Sequence, residues 1–525
     1  METAKAVDHG ILFYPRGGSS LVARNLTEQL RARGRPARVF AGSLGDPGTA
    51  AHAPSFYGPD HLVASDYSRA ASAHGHGLDP LEAPVPLHPS YEDRPGAPDR
   101  VFAAVSPRTT MHLADYWTRQ FTTHEAGADG LLHLHHLTPQ HAAAHRLGLS
   151  IVTTLHGTDL KFLHEARRRI HLAHEQGLTV AGVCQRLRIA AHAPATAAGE
   201  TSGRDWEPEP GDRWESWLYS GFWTMTMKVH ALRSNRIVVV SEQDHALAEK
   251  LLSLPPERMD IIPNGVDTQR FHPRPVPGDD EKHALLHRWL TEDPQGWLPE
   301  QGPGTITYSR GDIDRMIRDR NGQARPLLLW MGRFLAFKHL DLLLHAFAKL
   351  LDSAPVRPTL VVLGGYPGEW EGEHPHTLAE RLGITDDVYF AGWRPHADLI
   401  DGLSISTLFA APSVGEPFGL VYLEAMASGT PVIASASGGP LGFIRPDGPH
   451  PTGWFTAPGD AADLHATLLQ ALTHPGEIAR RGRNARTFVE QHYSWSTICD
   501  RYEEVYDRVL TQTSIRASEP SHGRR

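Results

Sequence analysis

Glu416 and Glu424 lie eight positions apart in "GEPFGLVYLEAMASGTPVIAS", residues 415–435. Paired carboxylates suggest glycoside hydrolysis, in which two acids flank one bond. The spacing argues otherwise. The stretch predicts a helix that opens near Gly419 or Leu420 and stops around Gly429, with Glu416 in the loop ahead of it. Eight helical residues span about 12 Å, beyond the roughly 5 to 9.5 Å of hydrolase acid pairs. A ligand with hydroxyls at both ends and charge between them fits better. A nucleotide sugar has that form, with sugar hydroxyls for Glu416, ribose hydroxyls for Glu424 and a diphosphate at the helix N-terminus. Cations for the diphosphate stand in "MGRFLAFKHLD", where Arg333 and Lys338 follow an apolar run. Arginine grips phosphate oxygens bidentately and lysine acts as a mobile point charge. By spacing alone, the same two residues suit a solvated turn.

The surrounding elements must hold these groups at one sheet edge. "LFAAPS" reads as the strand before Glu416, and open α/β sheets bind ligands beyond the carboxyl ends of their strands. At the start of the chain, "GILFYPRGG" and "SLVARNLTEQLRARG" read as strand, glycine turn and helix. "ARVFAGS", "LLHLHHL", "SIVTTLHG" and "NRIVVVSE" add short buried strands. The pattern restarts after "MDIIPNGVDTQRFHP", with "PLLLWMGR", "TLVVLGG", "VYFAG", an alternation across 399–412, and "PVIAS". Repeated βα units predict two parallel-sheet domains, 1–264 and 265–490, joined by a tight "PNGVD" turn that could serve as a hinge. Irregular insertions are expected near 42–100, 165–230 and 275–322, a C-terminal helix crossing back over 491–512, and a frayed tail at 513–525.

Bulk composition narrows the partners. Of 525 residues, 40% are hydrophobic and 21% charged, and no run approaches the roughly 18 apolar residues of a membrane span. With no secretory pattern at the start, the expectation is a cytoplasmic chain. A net charge of −9 argues against nucleic acid as a partner. Cys184 and Cys499 read as two structural thiols.

Together, "GEPFGLVYLEAMASGTPVIAS", "GRFLAFK", "IIPNGVDTQRF", "LHGTD" and "YSWSTICDRYEEVYDRVL" resemble the retaining glycosyltransferases of family 4. The resemblance covers nearly the whole chain outside the insertions and tail. It implies the GT-B architecture: two Rossmann-like parallel-sheet domains facing a central cleft, with donor on the C-terminal domain and acceptor on the N-terminal one. By that resemblance Glu416 binds donor-sugar hydroxyls beside the backbone of Phe418, Gly419 and Leu420, and Glu424 binds the ribose. Arg333 and Lys338 bind the diphosphate, and the Gly17–Gly18 turn approaches the phosphates or the acceptor. His156 of "LHGTD" contacts a donor hydroxyl; Asp159 is an acceptor candidate that helix N-capping explains equally well. Trp393 and Arg394 of "FAGWRP" would lie near the nucleobase. Two positions depart from the family: His339 stands where glycine is common after the lysine, and Leu441 and Gly442 follow "GGP" where a glutamate is frequent.

The implied reaction is same-face substitution, in which the departing phosphate oxygen deprotonates the acceptor, so no protein nucleophile and no metal or other cofactor is expected beside the nucleotide-sugar co-substrate. Alternatives are a nucleotide-sugar epimerase of similar fold and a catalytically silent nucleotide-sugar binding protein. Small-metabolite, natural-product, polysaccharide and lipid acceptors all stay open. Three further clusters have bland readings. His133, His135 and His136 look like metal ligands, but histidine is abundant and no acid or cysteine is adjacent. Arg31, Arg33, Arg35 and Arg38 fit a solvated face, or contact with an anionic membrane surface. Trp214, Trp217 and Trp223 fit a sugar-stacking wall or a packed helical insertion.

Overall fold

The computed structural model describes residues 4–94, 96–192, 212–275 and 278–518. The chain divides into two compact units, Met1–Ile262 with Cys499–Arg525, and Pro263–Ile498.

The first unit carries a seven-stranded parallel sheet built from β1 (Ala6–Ile11), β2 (Ala37–Ser43), β3 (Leu62–Asp66), β4 (Gly130–His135), β5 (Ile151–Leu155), β6 (Arg236–Val239) and β7 (Met259–Ile261). Its strand order is β3-β2-β1-β4-β5-β6-β7, so the winding reverses between β1 and β4. β1 starts earlier than "GILFYP" suggests, because two polar residues inside it find distant partners. Asp8 binds Arg38 and accepts from the Gly127 N–H, and His9 meets His135 across the sheet.

The second unit has six parallel strands, β8 (Leu327–Gly332), β9 (Thr359–Gly364), β10 (Val388–Gly392), β11 (Leu408–Ala411), β12 (Val432–Ser435) and β13 (Gly453–Thr456). The order β10-β9-β8-β11-β12-β13 reverses between β8 and β11. "LLLWMG" of β8 is apolar on both faces, as a strand covered by helices on both sides requires. The alternation across 399–412 resolves into a helix, Asp398–Ile405, followed by β11.

Two of the expected insertions, 165–230 and 275–322, carry helices, whereas 42–100 contributes β3 to the sheet. Within 165–230 the described residues form helices Val180–His192 and Ser220–Arg233, and Trp214, Trp217 and Trp223 are buried, which settles them as core; residues 193–211 lie outside the described set. The 275–322 segment contributes helices Asp279–His287 and Arg310–Ile317. It packs backbone to backbone on the end of β10: a Cβ on Gly296 would lie 2.4 Å from the Phe390 carbonyl oxygen, and one on Gly392 would lie 2.0 Å from that of Gln295.

The last helix runs over Trp495–Ser518, past the expected limit at 512, and its part from Cys499 on belongs to the first unit. Tyr502 and Tyr506 are buried there, and the Tyr506 hydroxyl bonds His133 Nδ1 at 2.8 Å. Arg33 pairs with Asp500 and Glu503, and Arg35 with Asp507 and Glu503. Three of the four clustered arginines are therefore paired within the unit, Arg38 with Asp8, while Arg31 and Arg33 stay exposed as a solvated face requires. Cys184 and Cys499 are buried and free.

Tyr506→Phe should leave a buried His133 nitrogen unsatisfied and cost about 1–3 kcal/mol, read by urea unfolding. Arg508→Ala, which removes only a surface contact to Asp260, should cost less than about 1 kcal/mol.

Candidate functional site

Both reversal points place chemistry-bearing loops side by side, where open α/β sheets bind ligands. In the second unit the loop after β8 carries Arg333 and Lys338, and the loop after β11 carries Glu416. The loops are joined by the Val414 N–H donating to the Phe337 carbonyl at 2.8 Å. Lys338 Nζ forms an ion pair with Glu416 Oε2, and both side chains are mostly buried. Arg333 is exposed at the end of β8.

Glycine makes this approach possible. Gly419 has φ +94° and N-caps the helix Leu420–Ala427, which agrees with the predicted start. The "GGP" loop lies directly against "GEPFG": a Cβ on Gly438 would sit 2.3 Å from the Glu416 carbonyl oxygen, and one on Gly439 would sit 2.4 Å from the Phe418 Cα. The Gly439 N–H donates to the Glu416 carbonyl at 2.7 Å, fixing the loop that presents the carboxylate. Phe418 is buried against Phe443, leaving main chain toward the helix start. His339 takes φ +49°, a left-handed conformation that explains a glycine preference at this position and that histidine tolerates better than most residues.

Glu424 is buried within that helix, and its Oε1 meets His396 Nε2 at 2.6 Å. His396 was missed by the sequence reading, although it stands two positions after Arg394. Arg394 itself turns inward: its guanidinium pairs with Asp293 and donates to the carbonyls of Ala391, Trp289 and Asp293. The expectation that it meets a nucleobase is corrected, since these donors anchor the 275–322 segment. Trp393 remains exposed beside it.

In the first unit, Gly17 (φ +72°) and Gly18 open the helix Gly17–Ala32 after β1, and a Cβ on Gly17 would meet nothing within 4 Å. The turn offers open space next to backbone N–H groups. His156 follows β5 and is half-buried. Asp159 is fully buried, so the acceptor reading is corrected. Its carboxylate accepts from Tyr91 Oη at 2.9 Å, the Leu137 N–H at 2.8 Å and the His156 N–H at 3.2 Å, and meets His136 Nδ1 at 2.8 Å. Burial alone would raise its pKa, but His136 and the hydrogen bonds hold it below the usual carboxylate range. Asp159 positions the His156 main chain and the His136 ring.

The "HLHH" histidines are also internal. His9, His133 and His135 bring one ring nitrogen each within 4.8 Å of one another, the one such cluster among the described residues. Their bonding is to one another, to His156 and to protein hydroxyls. His9 Nδ1 meets His135 Nε2, and His133 is held by Tyr506 and Thr154. Burial pushes His9 down to about 3 and His133 and His135 well below 6.5, so these rings are neutral in the fold.

Comparison with known proteins adds a family to this geometry. Residues 314–488 match the model described as "Glycosyl transferases group 1", and residues 191–270 match "Glycosyltransferase Family 4". Both matched models describe glycosyltransferases, as the sequence resemblance implies. The D-inositol 3-phosphate glycosyltransferase 2 of Catenulispora acidiphila is 32% identical over 251 residues, 45% of this chain and 56% of that protein. The D-inositol 3-phosphate glycosyltransferase of Frankia alni is 35% identical over 288 residues, 54% of this chain and 61% of that protein. The chain thus spans little more than half the length of the curated relatives it matches. Among solved structures, the sucrose-phosphate synthase from Thermosynechococcus elongatus superposes with a TM-score of 0.60 at 19% identity, covering 97% of this chain and 100% of that one. Anabaena HepE in complex with UDP-glucose gives 0.58 at 16% identity, covering 96% and 100%. These likenesses show the GT-B fold.

Two outcomes test the site's energetics. Lys338→Met should destabilise the C-terminal unit by about 3 kcal/mol, because it strands a buried carboxylate. Adding Glu416→Gln should recover about 1–3 kcal/mol of that in a double-mutant cycle followed by urea unfolding. In the N-terminal unit, stability should fall as pH drops below 6.5. The buried rings stay neutral there while the unfolded chain takes up protons, so the unfolded state binds more protons. His230, also pushed down to about 3 by burial and with both ring nitrogens unpartnered, isolates this effect. His230→Phe should flatten the slope between pH 6.5 and 4.5 by about 1.4 kcal/mol per pH unit.

Proposed function

We propose that the chain is a retaining glycosyltransferase that moves a hexose-like sugar from a nucleoside-diphosphate sugar to a hydroxylated acceptor. The observation that carries this reading is the Lys338–Glu416 pair at the β8/β11 reversal, with Glu424 in the helix that follows the Glu416 loop. An ion pair at a ligand-binding edge opens to a ligand that offers an anion to the lysine and hydroxyl donors to the carboxylate. A sugar on a diphosphate offers both on adjacent atoms. Arg333 and the helix N-terminus at Gly419 add charge complementarity to the phosphates, and Glu424 with His396 suits ribose hydroxyls.

In this reading Glu416 orients the sugar through its hydroxyls and does not attack it. The bond from the anomeric carbon to the phosphate oxygen breaks as the acceptor oxygen approaches on the same face. The phosphate oxygen takes the acceptor proton. Lys338 and Arg333 offset the charge that develops on the departing diphosphate. His156 contacts a donor hydroxyl, as the family resemblance implies. The Catenulispora and Frankia relatives are named for D-inositol 3-phosphate, which makes a phosphorylated cyclitol the first acceptor to assay.

A thermal-shift panel of UDP-, GDP-, ADP- and dTDP-sugars should identify one stabilising donor. With it, Glu416→Ala should abolish transfer while changing nucleotide affinity by less than about threefold, whereas Glu424→Ala should weaken nucleotide binding roughly tenfold, about 1.4 kcal/mol by calorimetry. Unchanged transfer in Glu416→Ala would refute the reading. Conversion of donor alone would point to an epimerase.

A further inference from the structure

A ladder of three imidazoles runs from the interior of the first unit to His156. His9 and His133 are direct neighbours in the β1–β4 register, and His135, two residues on, faces the same side. His9 Nδ1 meets His135 Nε2 at 3.2 Å, and His135 Nδ1 meets His156 Nε2 at 3.0 Å. The His135 and His156 rings are stacked, with centroids 5.2 Å apart. His9 Nε2, at the inner end, is sealed from solvent and has no partner. At the outer end, His156 Nδ1 makes no hydrogen bond to any described residue, and the residue is half-buried.

A neutral imidazole has one N–H donor and one bare acceptor nitrogen. Each ring-to-ring bond needs one proton, so three neutral rings in series admit only two proton orders. In one, all protons point inward: His156 donates from Nε2, and His9 is left with an orphaned N–H in the core. In the other, all point outward: His9 donates to His135, His135 donates to His156, and His156 carries its proton on Nδ1. Buried donors are left orphaned less often than buried acceptors, which favours the outward order. Asp159 acts in the same direction. Its carboxylate accepts the His156 main-chain N–H, so its negative charge stands at the end of the residue nearer Nδ1 and favours a proton there.

We infer that the ladder His9–His135–His156 fixes the tautomer of His156, so that this residue meets its ligand as an Nδ1–H donor with a bare Nε2 turned inward. His9 and His135 are positioning residues. They touch no ligand, and their effect passes through the proton order alone. Burial keeps His9, His135 and His156 neutral, as the two-order count requires. His133 stands outside the ladder, because Tyr506 and Thr154 occupy its two nitrogens. The assignment of His156 to a substrate oxygen rests on the glycosyltransferase reading; the tautomer does not.

The test is long-range 1H–15N correlation on the full chain labelled with 15N-histidine and without ligand, with the His156 signal assigned by its loss in His156→Gln. The expected result is a single Nδ1–H form in the wild type. In His135→Phe, which keeps the stacked ring but removes its nitrogens, both tautomers should be populated and kcat should fall more than KM changes. His135→Asn, whose amide N–H can stand in for the lost donor, should restore the Nδ1–H form. An Nε2–H form in the wild type overturns the inference, as does an unchanged single form in His135→Phe. One equivalent of metal retained by the purified wild type, measured by elemental analysis, would also overturn it, since His9 and His135 would then be ligands. Absence of transfer with every sugar nucleotide would refute the proposed reaction and leave the tautomer result standing.

Discussion

The Lys338–Glu416 ion pair is the contact on which the C-terminal unit's site depends. It ties together the two loops that emerge where the strand order reverses between β8 and β11. Neither residue is near the other in sequence, and each is largely shielded from water. An unpaired carboxylate at that burial would be costly, and the lysine ammonium offsets its charge. The main chain around them leaves little freedom: Gly438 and Gly439 allow the next loop to lie on Glu416 and Phe418 at distances no side chain would permit. The site is thus rigid in its backbone and exchangeable in its charges. A ligand that brings both an anion and hydroxyls can replace the pair without leaving either residue unsatisfied.

The N-terminal unit solves a different problem. Its interior encloses the acids Asp8 and Asp159, and its sheet carries several histidines where most parallel sheets hold aliphatic residues. Asp159 is tolerated because several donors converge on it, one of them the His156 main chain. The histidines are tolerated because they remain neutral and bond to one another or to tyrosine and threonine hydroxyls. The C-terminal helix belongs to this arrangement, since Tyr506 completes His133 and the Arg33 and Arg35 side chains hold its exposed acids. Acid sensitivity is expected of such a core, and the His9–His135 row ends at His156, which is half-buried.

Much of this was legible in the sequence wherever the information was local. The strand before Glu416, the helix from Gly419, and the glycine turn after β1 follow from apolar runs and glycine placement within a few residues. The two parallel sheets follow from repetition of those units. What the sequence could not supply was pairing across long separations. His396 meets Glu424 by way of a neighbouring loop, and nothing in "WRPH" marks which of three polar or aromatic residues turns toward the helix. Arg394 was misjudged because its partner, Asp293, belongs to a segment whose fold has no local signature. Asp159 looks like a helix-capping or ligand-binding acid in "LHGTD", and only the convergence of Tyr91, His136 and Leu137 shows it to be enclosed. Arg33 and Arg35 after the first helix likewise depend on acids more than 450 positions away.

The central claim is that a sugar diphosphate displaces the contact between Lys338 and Glu416 by satisfying both residues at once. A crystal structure of the protein soaked with its stabilising nucleotide sugar tests this directly. The account predicts phosphate oxygens on Lys338 and Arg333, sugar hydroxyls on Glu416 and ribose hydroxyls on Glu424. A nucleotide bound elsewhere, with the ion pair intact, would contradict it.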